Sequence, residues 1–202
     1  MIKLKIKDIE KLLNKKIQTN ISCLGIDIAS TTGLAYIKTT DQDMFIETAI
    51  FKIPTLPRKI ANQMIAAEKY EQVLDSICLL LVEYKNKMKF ADTENILVIE
   101  QSFMQLNVVT FGILRAMQGI AYSTFHSNFK IINIYLATVA RKLVGFQSIY
   151  SRSDLQHLKS AKRTETKKKE IIKWVNGKLG TQIDNDNIAD AAILALAGII
   201  NG

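Results

Sequence analysis

Apolar positions along the chain fall into two kinds of run, short continuous ones and longer helical stripes. Residues 22–29, Ser22-Cys23-Leu24-Gly25-Ile26-Asp27-Ile28-Ala29, form the first strong strand pattern. Thr31-Thr32-Gly33 reads as a turn, Leu34 to Thr39 as a returning strand, Asp41-Gln42-Asp43 as a second turn, and Met44 to Ile53 as a third strand. The three make an antiparallel meander, which Pro54 and Pro57 break. Residues 61–89 then carry a helical period through Tyr70, Val73, Ile77 and Tyr84. Residues 96–100 are a continuous apolar strand of the kind that parallel pairing buries. A helix over 107–126, a fifth strand from Ile131 to Tyr135 and a short helix from Thr138 to Val144, stopped by Gly145, follow. Residues 146–166 are polar and read as an exposed loop or insertion; 167–179 and 187–200 are the last two helices. Residues 1–20 are Lys-rich, with one short helix from Asp8 to Lys16, and read as a basic extension of a single domain spanning 21–202.

This order of elements is that of a ribonuclease H-like α/β fold, a mixed five-stranded sheet flanked by helices. In such a topology the first and fourth strands lie side by side, and this changes how the acidic residues are read. Asp27 sits in one apolar strand and Glu100 closes the other. A carboxylate in a buried strand has no structural use unless a cation meets it, because burying an unpaired charge is costly. Asp186 and Asp190 open the last helix at i, i+4 and share one of its faces. Four acids converging on one spot suit Mg²⁺, which takes hard oxygen ligands and keeps waters and substrate phosphates in its shell.

Composition adds the partner. The chain has 202 residues, is 48% hydrophobic and carries a net charge of +8, which suits a globular protein that meets a polyanion. Cys23 and Cys78 lie in apolar surroundings and read as reduced thiols. No apolar run reaches the roughly 18 residues that span a bilayer. The charged first residues do not form a signal-peptide core. Together these predict a cytoplasmic protein, of a bacterial cell or, for a viral chain, of its host, with no membrane partner.

The segment from Gly25 to Gly33 resembles the first motif of RuvC-type Holliday junction resolvases, and Ile99-Glu100-Gln101-Ser102-Phe103-Met104 resembles the second. Ile188-Ala189-Asp190-Ala191-Ala192 is similar to the last motif. Thr138 to Gly145 is similar to the family's basic helix before a DNA-facing loop, and Lys167-Lys168-Lys169-Glu170 to its next helix start. The ordered set covers about residues 22–200. It implies a Mg²⁺-dependent endodeoxyribonuclease with two ions per site, for which Mn²⁺ can substitute. It also implies a homodimer making paired nicks across four-way or other branched DNA, leaving 5′ phosphate and 3′ hydroxyl ends. By residue, the resemblance makes Asp27, Glu100 and Asp190 metal ligands. It leaves the fourth ligand between Asp186 and Asn187, where the family has an acid three residues before its last one. It sets Phe103 near the junction bases, Arg141 and Lys142 on the DNA, and Lys168, or its neighbours Lys167 and Lys169, near the scissile phosphate. The apolar helix at 107–126 is the candidate dimer interface.

Plain structural readings compete with these roles. Asp27 can be a turn former, Glu100 the partner of Arg115 or a lysine, Asp186 a helix N-cap and Asp190 a response to the helix dipole. The lysine run can be a solvated face. His126 and His157 have no metal-ligand spacing. Two other functions also compete. Gly25 to Thr32 looks like the phosphate-binding turn of an actin-like or sugar-kinase-like ATPase, although the chain has only nine glycines and lacks that class's second glycine turn. A non-catalytic junction-binding module would keep the basic surface without needing the buried acids.

Overall fold

A computed structural model describes residues 1–53, 66–90, 94–102 and 108–201. Pro54, Pro57, residues 61–65 of the expected long helix, and Phe103 lie outside them. Six strands form one mixed sheet: β1 (Ile2–Lys5), β2 (Ile21–Asp27), β3 (Thr31–Thr39), β4 (Asp43–Lys52), β5 (Glu94–Glu100) and β6 (Ile131–Tyr135), in the order β1-β4-β3-β2-β5-β6. β2, β3 and β4 are the antiparallel meander, while β5 runs parallel to β2 and β6 parallel to β5. The helices are α1 (Ile6–Leu13), α2 (Ala66–Lys87), α3 (Val108–Phe125), α4 (Ala137–Leu143), the single turn α5 (Arg152–Leu155), α6 (Ser160–Leu179) and α7 (Asp186–Asn201).

Side chains alternate across the sheet with a period of two. Leu24 and Ile26 of β2, Leu97 and Ile99 of β5 and Leu34 and Tyr36 of β3 fill a core beneath α2 and α3, with Ile77, Leu81, Met117 and Phe125. The opposite parity, Cys23, Ala35, Ile37, Ile96 and Val98, packs against α7. Most of α7 is buried, including Ala189, Ala191, Ala192, Leu194 and Leu196. A helix apolar on every side must be covered on every side. α7 is sandwiched between the sheet and an outer layer in which Ile6, Ile9 and Leu13 of α1, Ala140 of α4, and Ile171 and Val175 of α6 join the same core.

The contact between α7 and the sheet is unusually close. A Cβ at Gly25 would stand 2.2 Å from the carbonyl oxygen of Ala191, and one at Gly33 2.2 Å from that of Asn187. Glycine at these two positions lets the start of the helix lie directly on β2 and β3.

Four expectations need correction. The sheet has six strands rather than five, because Ile2 and Leu4 alternate with Lys3 and Lys5 and pair with β4. Lys3 and Lys5 reach Asp43 at 3.1 and 2.7 Å, so the lysines guard an edge strand. The basic extension is therefore part of the fold, and its helix starts at Ile6 rather than Asp8. Thr31-Thr32-Gly33 already belongs to β3, and the chain turns over residues 28–30. The expected loop at 146–166 contains α5 and the first two turns of α6, which begins at Ser160. Those turns lack an apolar stripe and draw on a side-chain pair such as Glu165 with Lys169 at 2.6 Å.

Overpacking of a tight contact costs about 1–3 kcal/mol, and here the obstacle is backbone. Gly25→Ala is expected to lower the melting temperature by roughly 4–8 °C, at about 2–4 °C per kcal/mol for a chain of this size. An unchanged melting curve would show that α7 does not rest on β2 in this way.

Candidate active site

Register and parity bring the acids together. β2 and β5 pair Gly25 with Val98 and Ile26 with Ile99, so the next residues on the two strands, Asp27 and Glu100, sit side by side at the C-terminal ends of parallel strands. Their parity is that of Cys23 and Val98, so both face α7. α7 starts at Asp186 over the same end of the sheet, and Asp190 lies one turn further on. Asp27 is buried, 6% exposed. Burial holds its carboxyl well above the usual carboxylate range, and a hydrogen bond with Glu100 and the negative charges of Glu100, Asp190 and Asp186 push it further the same way. Burial also raises Asp190, although Arg141 beside it acts in the opposite direction.

Two cations answer this crowding. Arg141 of α4 forks onto Asp190, donating from Nη2 to Oδ1 and Oδ2 at 2.8 and 2.9 Å and from Nε to Oδ1 at 3.1 Å. Lys168 of α6 places Nζ 2.7 Å from Oδ2 of Asp186. Lys168 is thus the member of its lysine run that reaches the acids. Lys169 pairs with Glu165, and Lys167 is exposed. Lys142 is exposed on the flank of α4. The inward turn of Arg141 carries no signal in the sequence, where it is one of two adjacent basic residues.

The plain structural readings fare unevenly. Asn185 caps α7, its Oδ1 accepting from the backbone N–H of Asn187 at 2.9 Å and of Ile188 at 3.3 Å, so Asp186 is not the N-cap. Asn187 donates from Nδ2 to the carbonyl of Thr31, which ties the helix start to β3. Arg115 donates to Gln118 at 3.1 Å and lies over the Phe111 ring, and Gln118 in turn donates to the Glu100 carbonyl at 2.9 Å. No ion pair of Glu100 occurs among the described residues. His126 stacks on Tyr122. Cys23 is buried and Cys78 half-buried, both unpaired with another cysteine.

The donor set is of the right chemistry for Mg²⁺, all carboxylate oxygen. Among the described residues no three His, Cys, Asp or Glu side chains form a ready-made cage for an ion. Mg²⁺ does not need one, since it is commonly held through one or two carboxylates with waters and substrate phosphates completing its octahedron. The residues therefore fit the ion, with Asp27 and Glu100 on rigid strand ends and the two helix acids beside them. Among the described residues no helix is long and apolar enough to cross a membrane.

No family model and no curated protein matches the chain. Among solved structures it is similar to Thermus thermophilus RuvC in complex with a Holliday junction substrate, with 13% identity, coverage of 87% of this chain and 91% of that one, and a TM-score of 0.56. A second Thermus thermophilus RuvC structure gives 15% identity, coverage of 87% and 92%, and a TM-score of 0.49. The yeast mitochondrial Holliday junction resolvase Ydc2 gives 12%, 95% and 82%, and 0.44. The first of these likenesses is one of fold: the chain has a ribonuclease H-like fold. Within this fold α7 is laid across the strands that carry Asp27 and Glu100.

An acid with a raised folded-state value holds its proton more tightly folded than unfolded. It contributes fully below the ordinary carboxylate range and loses that contribution as pH rises through its folded value. Asp27→Asn removes the charge and should raise the melting temperature of the metal-free protein at pH 7 by about 2–4 °C, the span of 1 kcal/mol here. The gap should close near pH 4. A variant that melts below the wild type at pH 7 would contradict the crowding described.

Proposed function

We propose that this chain is a metal-dependent, structure-specific endonuclease that resolves four-way or other branched DNA junctions by paired nicks. The observation that carries the reading is the convergence of Asp27 and Glu100, from adjacent parallel strands, with Asp186 and Asp190 of α7. The fold shared with a RuvC bound to a Holliday junction substrate supports it, as does the net charge of +8.

Asp27 and Glu100 would hold Mg²⁺ or Mn²⁺, with Asp190 and Asp186 completing the set. Metal bound there would supply an activated water and a stabilised leaving oxygen. The chain's own part is orientation and charge. Arg141 grips both oxygens of Asp190 and fixes that carboxylate's plane, the kind of outer contact that tunes a metal ligand. Lys168 already lies in the cluster, where a cation offsets negative charge growing on the attacked phosphate. Asp186 is favoured over Asn187 as the fourth ligand, because its charge already acts on Asp27, while Asn187 serves to tie the helix start to Thr31. The products would carry 5′ phosphate and 3′ hydroxyl ends. Two nicks placed symmetrically call for a two-fold dimer, with α3 as its interface. Lys142, Lys167 and Lys169 would meet the DNA backbone, with Phe103 near the junction bases.

Cleavage of a synthetic four-way junction in Mg²⁺, absent in EDTA, is the direct test. Asp27→Asn and Glu100→Gln should each lower nicking by at least about a thousandfold while junction binding in EDTA persists, since phosphate neutralisation supplies most of the affinity. Nicking at the wild-type rate in either variant removes the site. Asp186→Asn should cost far more activity than Asn187→Ala, and the reverse order would reassign the fourth ligand.

A further inference from the structure

The N-terminal segment precedes the span 22–200 whose motifs resemble the resolvases, and it packs beside α4, with Gln18 donating from its backbone to Ile199 at the C-terminal end of α7. α1 ends at Leu13 with Asn14 in the left-handed conformation. It stops against the end of α4, where a Cβ at Gly145 would stand 3.7 Å from the Leu13 carbonyl oxygen. Between the two helix ends is an open groove of about 590 Å³ lined by Lys15, Thr138, Val139, Lys142 and Leu143. α4 thus carries Arg141 into the acid cluster and, one residue on, Lys142 into this groove.

Two of the residues lining this groove are cations that no carboxylate among the described residues neutralises, unlike the paired lysines elsewhere on the chain. Lys3, Lys5, Lys16, Lys87, Lys168 and Lys169 each pair with a carboxylate. Lys15 and Lys142 have no such partner among the described residues, and both are exposed. Lys15 is not needed to offset the α1 dipole, because Lys178 Nζ already donates to the Leu12 carbonyl at 2.6 Å. What remains is a groove with a cation on either wall, an exposed hydroxyl at Thr138 and an apolar floor at Val139, which is 43% exposed. Phosphate suits the lysines and the hydroxyl, and the carbon face of a deoxyribose suits the floor.

We infer that this groove holds the sugar–phosphate backbone of a DNA arm where it runs on past α4 from the acid cluster, with Lys15 supplied by the N-terminal segment as a phosphate contact. The inference rests on the DNA reading above. It predicts a longer DNA footprint than residues 22–200 alone would make.

The test is binding of a fluorescent four-way junction, and separately of linear duplex, to the full chain in EDTA over a series of KCl concentrations. Each phosphate contact contributes about 0.9 to the slope of log K against log salt. Lys15→Ala is expected to reduce that slope by about 0.9 and to weaken binding about fivefold to tenfold at 0.1 M KCl, with an unchanged melting temperature. Lys15→Arg should keep the wild-type slope. Lys89→Ala removes the same charge from an exposed position beside α2, on the other face of the sheet, and should leave the slope unchanged. Wild-type slope in Lys15→Ala, or an equal loss in Lys89→Ala, overturns the groove while leaving the nuclease reading intact. A wild-type chain that binds neither junction nor duplex overturns the DNA reading and the groove with it.

Discussion

Mutual repulsion among one buried and three half-buried carboxylates is the constraint around which this molecule is arranged. Asp27 and Glu100 sit at adjacent strand ends, and α7 brings Asp186 and Asp190 to the same place. Such a group is expensive to remove from water without opposite charge nearby. The protein offsets the cost from its outer layer, with Arg141 of α4 on Asp190 and Lys168 of α6 on Asp186. Asp27, the most enclosed of the four, shares a hydrogen bond with Glu100. Under the proposed function a divalent cation would be the further partner of these oxygens.

The acids cannot move apart because the packing around them is apolar and close. α7 contributes no basic residue and almost no exposed surface after its first turn, so its position is set by what it buries. Gly25 and Gly33 let its backbone rest on β2 and β3, and the Asn187 amide ties its first turn to Thr31. Shifting the helix outward would uncover Ala191, Ala195 and Leu196 and also part Asp190 from Asp27. Stability of the core and geometry of the acid cluster are therefore held by the same contacts, which belong to the sheet-and-helix sandwich rather than to a loop.

Much of this was legible in the chain. Period-two alternation in Cys23 to Asp27 and Ile96 to Glu100 shows that each acid shares the parity of its neighbours, and parallel pairing then makes the two carboxylates adjacent. The spacing of Asp186 and Asp190 shows that they share a helix face. Other features had no local signal. β1 is four residues of alternating Ile, Leu and Lys, too short to distinguish from a charged tail until Asp43 is seen to meet both lysines. The first turns of α6 are polar all round, which in sequence is the pattern of a loop. Arg141 and Lys142 are neighbours of like charge, and only the path of α4 after β6 decides that one turns to Asp190 and the other to solvent. Asn185 takes the cap that Asp186 could equally have filled, which leaves Asp186 to the cluster.

The measurement closest to the central claim is anomalous diffraction from a crystal soaked in Mn²⁺. Strong peaks bounded by the carboxylates of Asp27 and Glu100, with Asp190 or Asp186 in the same coordination sphere, are what this account predicts. Crystals saturated with Mn²⁺ that show no peak between β2, β5 and the start of α7, or peaks only at other acids, would contradict it.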